Sequence, residues 1–152
     1  MKHNFCKTIP LSLMVILTGC SFEKDISKNS VAFDPNIVEI EHDYSEILEY
    51  QIKWENIFKI EVENYYVYFY SLSCSNCQEI KNFMIERALE RKDIYFIKSS
   101  NEIPIQNDVK STIGAQNVVD FAILGYPALI KIEDGKCTKN IAGKSQILTL
   151  LK

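Results

Sequence analysis

Two cysteines separated by two residues, in Cys74-Ser75-Asn76-Cys77, are the side chains of this 152-residue chain best suited to chemistry. A thiolate attacks a disulfide, and a second thiol close by can release the product, so such a pair supports thiol–disulfide exchange. The two side chains between the cysteines are uncharged and supply no cation that would stabilise a thiolate. A static disulfide, a pair of inert thiols and part of a zinc site are the alternatives.

The elements predicted around this pair place it where a strand meets a helix. Residues 65–71 (YYVYFYS) are aromatic and β-branched with almost no charge, which predicts a central strand buried on both faces. Residues 75–91 carry their apolar side chains mostly on one face, which predicts an amphipathic helix. Free backbone N–H groups at the start of that helix favour the thiolate of Cys74, whereas Cys77 is more shielded. We therefore expect Cys74 to be the nucleophile and Cys77 to resolve the mixed disulfide.

Two segments of the chain resemble the thioredoxin family. The residues from Tyr68 to Cys77 (YFYSLSCSNC) are similar to the active-site segment of that family. Residues 125–132 (GYPALIKI), which an Asp-Gly-Lys turn follows, are similar to the strand that passes beside it. The order of the CxxC pair, the Gly-x-Pro and this turn is much more specific than a lone CxxC. The resemblance implies a thioredoxin-like three-layer α/β/α fold with a central mixed sheet over residues 36–152.

The resemblance also implies how the second segment acts. It implies a cis peptide bond between Tyr126 and Pro127 beside Cys74, with both residues bordering a groove where an extended substrate pairs with the backbone. Two positions depart from the family pattern. Ser73 stands where a tryptophan is common, and Tyr68 stands where a buried carboxylate commonly assists proton transfer from the second cysteine. These departures leave open a non-enzymatic accessory or binding protein with the same fold.

Hydrophobic patterns predict the remaining elements of one α/β domain. After a cap at Asp43 or Ser45, apolar spacing predicts a helix that ends near Lys59. The irregular residues 99–124 are predicted to end in a helix that leads to Gly125. The other predicted elements are strands at residues 37–41, 94–98, 128–132 and 137–141, a hairpin turn at residues 133–136 and a closing helix at residues 145–151.

The N-terminal segment resembles a bacterial lipoprotein signal sequence. Lys2 and Lys7 form a positive region before an apolar run at residues 9–17. The run is too short to span a bilayer, because spanning needs about 20 residues. The run ends in Leu-Thr-Gly-Cys at residues 17–20, which is similar to the lipobox, the lipidation and cleavage motif of these proteins. The resemblance implies a lipid on Cys20, which would anchor the protein at the extracytoplasmic face of the cell membrane.

This interpretation divides the chain into three parts. Residues 1–19 are the lipoprotein signal peptide, residues 20–35 are the lipidated cysteine and a polar tether, and residues 36–152 are the thioredoxin-like domain. An ordinary buried N-terminal helix is the alternative, but Pro10 and Thr18-Gly19 disfavour it.

Composition and cysteine spacing exclude several classes of protein. A net charge of −3 and the lack of a basic cluster argue against nucleic-acid binding, and the 24% charged and 47% hydrophobic content excludes a chain disordered throughout. Five cysteines cannot form a complete set of disulfides. A zinc site would need Cys74, Cys77, Cys137 and His42, but only one pair has the short spacing usual for structural zinc. Cys137 is expected to be a small buried side chain and His42 a surface residue.

The sequence as a whole predicts a membrane-anchored thiol–disulfide oxidoreductase that acts through the Cys74–Cys77 dithiol. Its expected substrates are protein thiols or disulfides, and a redox partner must regenerate the pair. No metal or organic cofactor is implied. The two residues between the cysteines do not determine whether the protein oxidises, reduces or isomerises its substrates.

Overall fold

A central sheet of four strands organises the part of the chain that the computed structural model describes, residues 40–108 and 112–152. The strands are β1 at Asn64–Tyr70, β2 at Ile94–Lys98, β3 at Ala128–Glu133 and β4 at Lys136–Ala142. They lie in the order β2-β1-β3-β4. β1 runs parallel to β2 and antiparallel to β3, and β4 pairs antiparallel with β3, so the sheet is mixed.

Both faces of β1 are buried, as its aromatic and uncharged sequence predicts. Tyr68 and Tyr70 lie in a first core, which helices cover. Tyr65, Val67 and Phe69 lie in a second core, because successive side chains of a strand point to opposite faces of the sheet. None of these five side chains is more than 2% exposed. β1 is therefore the central strand, and the CxxC segment continues directly from its end.

Three α-helices contribute to the first core. They are α1 at Ser75–Glu79, α2 at Lys81–Arg91 and α3 at Lys144–Leu151. The single helix predicted over residues 75–91 is therefore two helices. Ile80 separates them, because its φ of −107° and ψ of 8° lie in the bridge region between helix and strand.

The helix predicted up to Lys59 does not form as an α-helix. A 3₁₀ helix forms at Tyr44–Tyr50 instead, and Asp43, one of the two predicted capping residues, is its N-cap. The chain then becomes extended, because the backbone N–H of Ile52 donates to the carbonyl of Phe96 in β2 at 2.9 Å. Backbone pairing with the edge of the sheet thus outweighs helical periodicity in this segment.

Irregular chain and a 3₁₀ turn at Trp54–Asn56 border the second core. The described part of residues 99–124 contains no helix, so the helix predicted before Gly125 is wrong. An isolated β-bridge joins Ile105 to Ile123 instead. The physical reason is that Ile123, which is paired in this bridge, and Phe121 bury their side chains in the second core.

The hairpin between β3 and β4 forms as predicted. Asp134 and Gly135 have φ values of 50° and 71°, in the left-handed region that an Asp-Gly turn favours. The turn pairs Glu133 with Lys136, and a register shift between Lys131 and Ile132 then brings Ala128, the first residue of β3, opposite Ala142.

The mixed sheet with its covering helices confirms the predicted thioredoxin-like α/β fold class. Of the two helical layers in the predicted α/β/α arrangement, the described residues form only the one over the first core, because irregular chain and a 3₁₀ turn cover the second core. Ile40 and Glu41, the described end of the strand predicted at residues 37–41, are not in a strand. Residues 1–39, which include the signal-like segment, Cys20 and the predicted tether, lie outside the described part. Within the described part, no helix is both long enough and apolar enough to cross a membrane.

Candidate active site

Cys74 caps the N-terminus of α1, directly after the loop that leaves β1. Its backbone is extended, with φ of −90° and ψ of 115°, so its side chain turns back over the first turn of the helix. The backbone N–H of Cys77 donates a hydrogen bond to Cys74 Sγ across 3.3 Å. The sulfur therefore takes the place of a capping oxygen and accepts a backbone N–H at the start of the helix.

Short polar contacts fix the loop from Ser71 to Ser73. The hydroxyls of these two serines lie 3.0 Å apart, and the N–H of Cys74 donates to the Ser71 carbonyl at 3.2 Å. The side-chain amide of Gln78, on α1, donates to the Leu72 carbonyl at 3.1 Å. Leu72 itself is 52% exposed, so the loop presents an apolar side chain to solvent two residues before the cysteine.

The predicted Tyr126–Pro127 segment lies against the first cysteine. The peptide bond between these residues is cis, as the resemblance implied. The Cys74 thiol donates to the Tyr126 carbonyl at 3.6 Å. The Gly143 N–H donates to the Pro127 carbonyl at 2.8 Å and ties the segment to the chain after β4. The fold thus brings Cys74, Cys77 and the Tyr126–Pro127 segment together at one place.

The two sulfurs differ in their access to solvent. Cys74 is partly exposed, whereas Cys77 is 0% exposed and packs in the first core. Burial raises the pKa of the Cys77 thiol to about 12, and its hydrogen bond with Cys74 acts in the same direction. Cys77 therefore stays protonated in the resting dithiol, and Cys74 is the sulfur of the pair that an incoming disulfide can reach.

Tyr68 occupies the β1 position where a buried carboxylate is common in the thioredoxin family. Its side chain is 0% exposed, and its hydroxyl has no hydrogen-bond partner within the described residues. Burial raises the pKa of this phenol above its ordinary value, and the neighbouring Cys77 adds to the effect. The hydroxyl in turn lowers the pKa of the Cys77 thiol, against the larger effect of burial, because a neighbouring O–H group favours the thiolate.

Tyr44 also borders the site, although no sequence pattern pointed to it. It begins the first 3₁₀ helix and stacks on Tyr70, with 4.0 Å between the ring centroids. Its hydroxyl is buried without a partner among the described residues. Burial raises the pKa of Tyr44, and Tyr70, Cys77 and Cys74 all act in the same direction. The cap at Asp43 marks the start of this helix in the sequence, but only its packing on the sheet brings Tyr44 to the cysteines.

Cys137 and His42 stand apart from the cysteine pair. Cys137 lies in the second core, on the face of the sheet opposite Cys77, and burial raises the pKa of its thiol to about 11. His42 is partly exposed, and its Nδ1 lies 2.8 Å from Glu46 Oε2. In the described part of the chain, no three His, Cys, Asp or Glu side chains are grouped closely enough to hold a metal ion. The four ligands considered for zinc are therefore not assembled there.

The chain is similar to several solved thioredoxins, while no protein-family model and no curated protein sequence matches it. A thioredoxin from Plasmodium falciparum is 19% identical over 64% of this chain and 87% of that one, with a TM-score of 0.42. Thioredoxin f2 from Chlamydomonas reinhardtii is 14% identical over 66% and 91%, with a TM-score of 0.42. The long form of thioredoxin f from spinach chloroplast is 12% identical over 75% and 96%, with a TM-score of 0.44.

Proposed function

We propose that the protein is a thiol–disulfide oxidoreductase in which Cys74 is the nucleophile and Cys77 is the resolving thiol. The observation that carries this proposal is the asymmetry of the pair. The Cys74 sulfur is partly exposed and accepts the Cys77 N–H, while the Cys77 sulfur is buried in the core. Reactive cysteines occupy accessible sites that stabilise a thiolate, whereas structural thiols are buried and inert.

In the reducing direction, the Cys74 thiolate attacks one sulfur of a substrate disulfide. The substrate S–S bond breaks, a Cys74–substrate disulfide forms, and the other substrate sulfur leaves as a thiolate that takes a proton from solvent. Cys77 then gives up its proton and attacks Cys74 Sγ, which closes the Cys74–Cys77 disulfide and releases the second substrate sulfur as a thiol. The oxidising direction reverses these steps, and a redox partner restores the starting state of the pair.

The proposed substrate groove runs along Tyr126 and Pro127. The Tyr126 carbonyl lies 3.6 Å from Cys74 Sγ, so a chain bound along this backbone would bring its own sulfur to the nucleophile. Leu72, which is half exposed, adds apolar surface on the loop before Cys74. Extended segments of proteins that carry a disulfide or a thiol are the substrate class that suits this arrangement.

We also propose that the domain stands outside the cytoplasm on a lipid anchor. The support is the lipobox-like segment that ends at Cys20 and the polar residues that follow it. A signal peptide at residues 1–19 would direct export from a bacterial cytoplasm. Residues 20–35 would then hold the domain of residues 36–152 above the bilayer, so its substrates and redox partner would be exported or membrane proteins.

Trapping of mixed disulfides tests the oxidoreductase proposal. In the full chain, Cys77→Ser should accumulate partners bound covalently to Cys74, because the step that releases them is blocked. These complexes should run as higher-mass bands on a non-reducing gel and disappear on reduction. Cys74→Ser is the matched control and should trap few partners, since only the buried sulfur of the pair remains.

An insulin-reduction assay completes this test. The wild-type chain should exchange disulfides with insulin, and neither serine variant should turn over. Equal reactivity of Cys74 and Cys77 toward an alkylating agent, together with an absence of trapped complexes, would contradict the proposal. That result would favour the alternative, a non-enzymatic accessory or binding lipoprotein with a thioredoxin fold.

A further inference from the structure

Tyrosine hydroxyls without hydrogen-bond partners gather around the cysteine pair. Four buried side-chain oxygen or nitrogen atoms of the described residues lack a partner, and three of them are the hydroxyls of Tyr44, Tyr68 and Tyr126. All three side chains pack in or against the first core, which also contains Cys77. Buried polar atoms are nearly always hydrogen-bonded, because an unpaired one is costly. Three such atoms beside one reactive pair indicate a state of the site in which they are used.

Tyr68 is the member of this group that shares the first core with Cys77 as an equally buried side chain, since both are 0% exposed, and its hydroxyl lowers the pKa of the Cys77 thiol. Its ring is 0% exposed and contacts Phe96 edge to face, with 5.5 Å between the ring centroids, so packing fixes the position of its hydroxyl. In the dithiol this hydroxyl has no hydrogen-bond partner among the described residues, so its proton is an unused donor.

Cys77 needs a donor because its environment otherwise opposes a negative charge. Burial raises the pKa of its thiol to about 12. The groups that act on this thiol are Cys74, the Ser71 backbone and Tyr68, and no charged side chain of the described residues is among them. Burial also raises the pKa of Tyr68, so the hydroxyl keeps its proton and remains a donor.

We propose that Tyr68 is a catalytic residue: its hydroxyl donates a hydrogen bond to Cys77 Sγ whenever that sulfur carries negative charge. This role rests on the disulfide exchange proposed above. When a substrate thiolate opens the Cys74–Cys77 disulfide, its sulfur bonds to Cys74 Sγ, the S–S bond breaks, and Cys77 Sγ leaves with the electron pair. The Tyr68 hydroxyl stabilises this leaving thiolate. In the reverse step Cys77 attacks Cys74 Sγ, its proton passes to the departing substrate sulfur, and the Tyr68 proton stays on oxygen.

Tyr68→Phe tests this role because it removes the hydroxyl and keeps the ring. Resolution of the mixed disulfide should become about tenfold slower, as expected for the loss of one hydrogen bond to a charged sulfur. Stopped-flow release of a peptide from its disulfide with Cys74 of the full chain measures this step. The pH midpoint for alkylation of Cys77, measured with Cys74→Ser as background, should also rise in Tyr68→Phe, which a purely structural role would not produce.

Tyr65→Phe is the matched control. Tyr65 is 1% exposed on the same strand, but its side chain lies in the second core and its hydroxyl donates to the Ile57 carbonyl at 2.5 Å. This variant should lose stability, because it removes a donor from a buried carbonyl, and should keep the wild-type rate of resolution. Tyr68→Phe should show the opposite pattern, with a wild-type or higher urea midpoint and slower resolution.

Carbon-13 labelling of the tyrosine Cζ atoms gives a second measurement, on the wild-type chain. The Tyr68 Cζ resonance should titrate with the same midpoint as alkylation of Cys77, because its hydroxyl meets the new thiolate. The Tyr65 Cζ resonance should not follow that midpoint. This titration decides the role of Tyr68 even if Tyr68→Phe does not fold. A Tyr68 resonance that does not change at the midpoint of Cys77 alkylation overturns the proposed role.

The proposed function and the role of Tyr68 fail in different ways. If the wild-type chain does not reduce insulin and Cys77→Ser traps no partners, the oxidoreductase proposal is wrong and the role of Tyr68 falls with it. If the wild type exchanges disulfides but Tyr68→Phe resolves them at the wild-type rate with an unshifted Cys77 profile, the oxidoreductase stands. The proposed role of Tyr68 is then overturned.

Discussion

At the scale of single residues, one hydrogen bond and one difference in burial separate two chemically identical thiols. Cys74 Sγ receives the Cys77 N–H at an accessible helix start, while Cys77 Sγ lies in the first core. The same burial couples the stability of the dithiol to pH. A thiol whose pKa is raised by folding favours the folded state while it is protonated, and that contribution is lost at higher pH.

We predict that the reduced protein loses stability as the pH rises above about 8.5, the ordinary pKa of a thiol. The folded-state pKa values of Cys77 and Cys137 are about 12 and about 11, so the unfolded chain releases these protons at lower pH. Each thiol should lower the free energy of unfolding by about 1.4 kcal/mol per pH unit between its two pKa values. Urea unfolding at a series of pH values measures this slope.

Two changes separate the contributions of these thiols to the slope. Oxidation of the active-site pair removes the Cys77 thiol, and Cys137→Ala removes the other, so each should flatten the slope by the equivalent of one proton. Buried tyrosines, whose pKa values are also raised, contribute only as the pH passes about 10. A slope that neither change alters would mean that the two thiols do not titrate as their burial requires.

Cys137→Ala should retain redox turnover. The Cys137 thiol lies in the second core and donates to the Lys139 carbonyl at 3.4 Å, away from the site of exchange. The rate of insulin reduction should therefore stay within about twofold of the wild-type rate. Loss of turnover with an intact fold and an intact Cys74–Cys77 disulfide would show instead that a third thiol takes part.

At the scale of elements, local patterns predicted the segments around the site, and long-range contacts decided the others. The uncharged aromatic run of β1 and the Asp-Gly turn carry their own signals, so both could be predicted from sequence. The α-helix predicted up to Lys59 does not form, because Gln51 makes a β-bridge with Phe96, which is 45 residues further along the chain. Before Gly125, an isolated bridge between Ile105 and Ile123 forms where a helix is predicted. Hydrophobic periodicity reports only local spacing and cannot predict a pairing between distant residues.

In the candidate site too, residues with a local sequence signal could be predicted, and residues placed by long-range contacts could not. Cys74, Cys77 and the Tyr126–Pro127 segment could be predicted because each belongs to a short motif. In the sequence, Tyr68 is visible only as a departure from the family pattern, since its place in the same core as Cys77 depends on how α1 packs on β1. Tyr44 carried no signal, because its place beside the site depends on stacking with a ring from another element.

Asn140 connects β4 to the irregular chain that covers the second core. Its Nδ2 donates to Thr112 Oγ1 and to the Ala122 carbonyl, both at 2.9 Å, and its side chain is 4% exposed. Asn140→Ala should lower the free energy of unfolding by about 1–3 kcal/mol, because buried hydrogen bonds are lost. Urea unfolding measures the change. Lys139→Ala, at the exposed neighbouring position, should change stability by less than about 0.5 kcal/mol, and an equal effect of both variants would contradict this role for Asn140.

At the scale of the whole molecule, the proposed location depends on one residue far from the active site. Cys20→Ser should abolish the incorporation of labelled fatty acid and release the protein from the membrane fraction, because the thiol is the proposed attachment point. Cys6→Ser, within the proposed signal peptide, is the matched control and should keep both lipid and location. Metabolic labelling with cell fractionation measures the outcome, and labelling that persists in Cys20→Ser would exclude the lipoprotein interpretation.

The placement of the described cysteines in two cores limits what oxidation can do to the domain. Cys74 and Cys77 belong to the first core and Cys137 to the second, and a disulfide requires the two Cα atoms to lie within about 7 Å of each other. Cysteines packed on opposite faces of an intact sheet do not meet. Of the pairings open to these three thiols, only the active-site disulfide therefore forms without unfolding. Repeated cycles of the proposed exchange would then proceed without internal disulfide scrambling, and a strong oxidant would drive the folded domain to one intramolecular product.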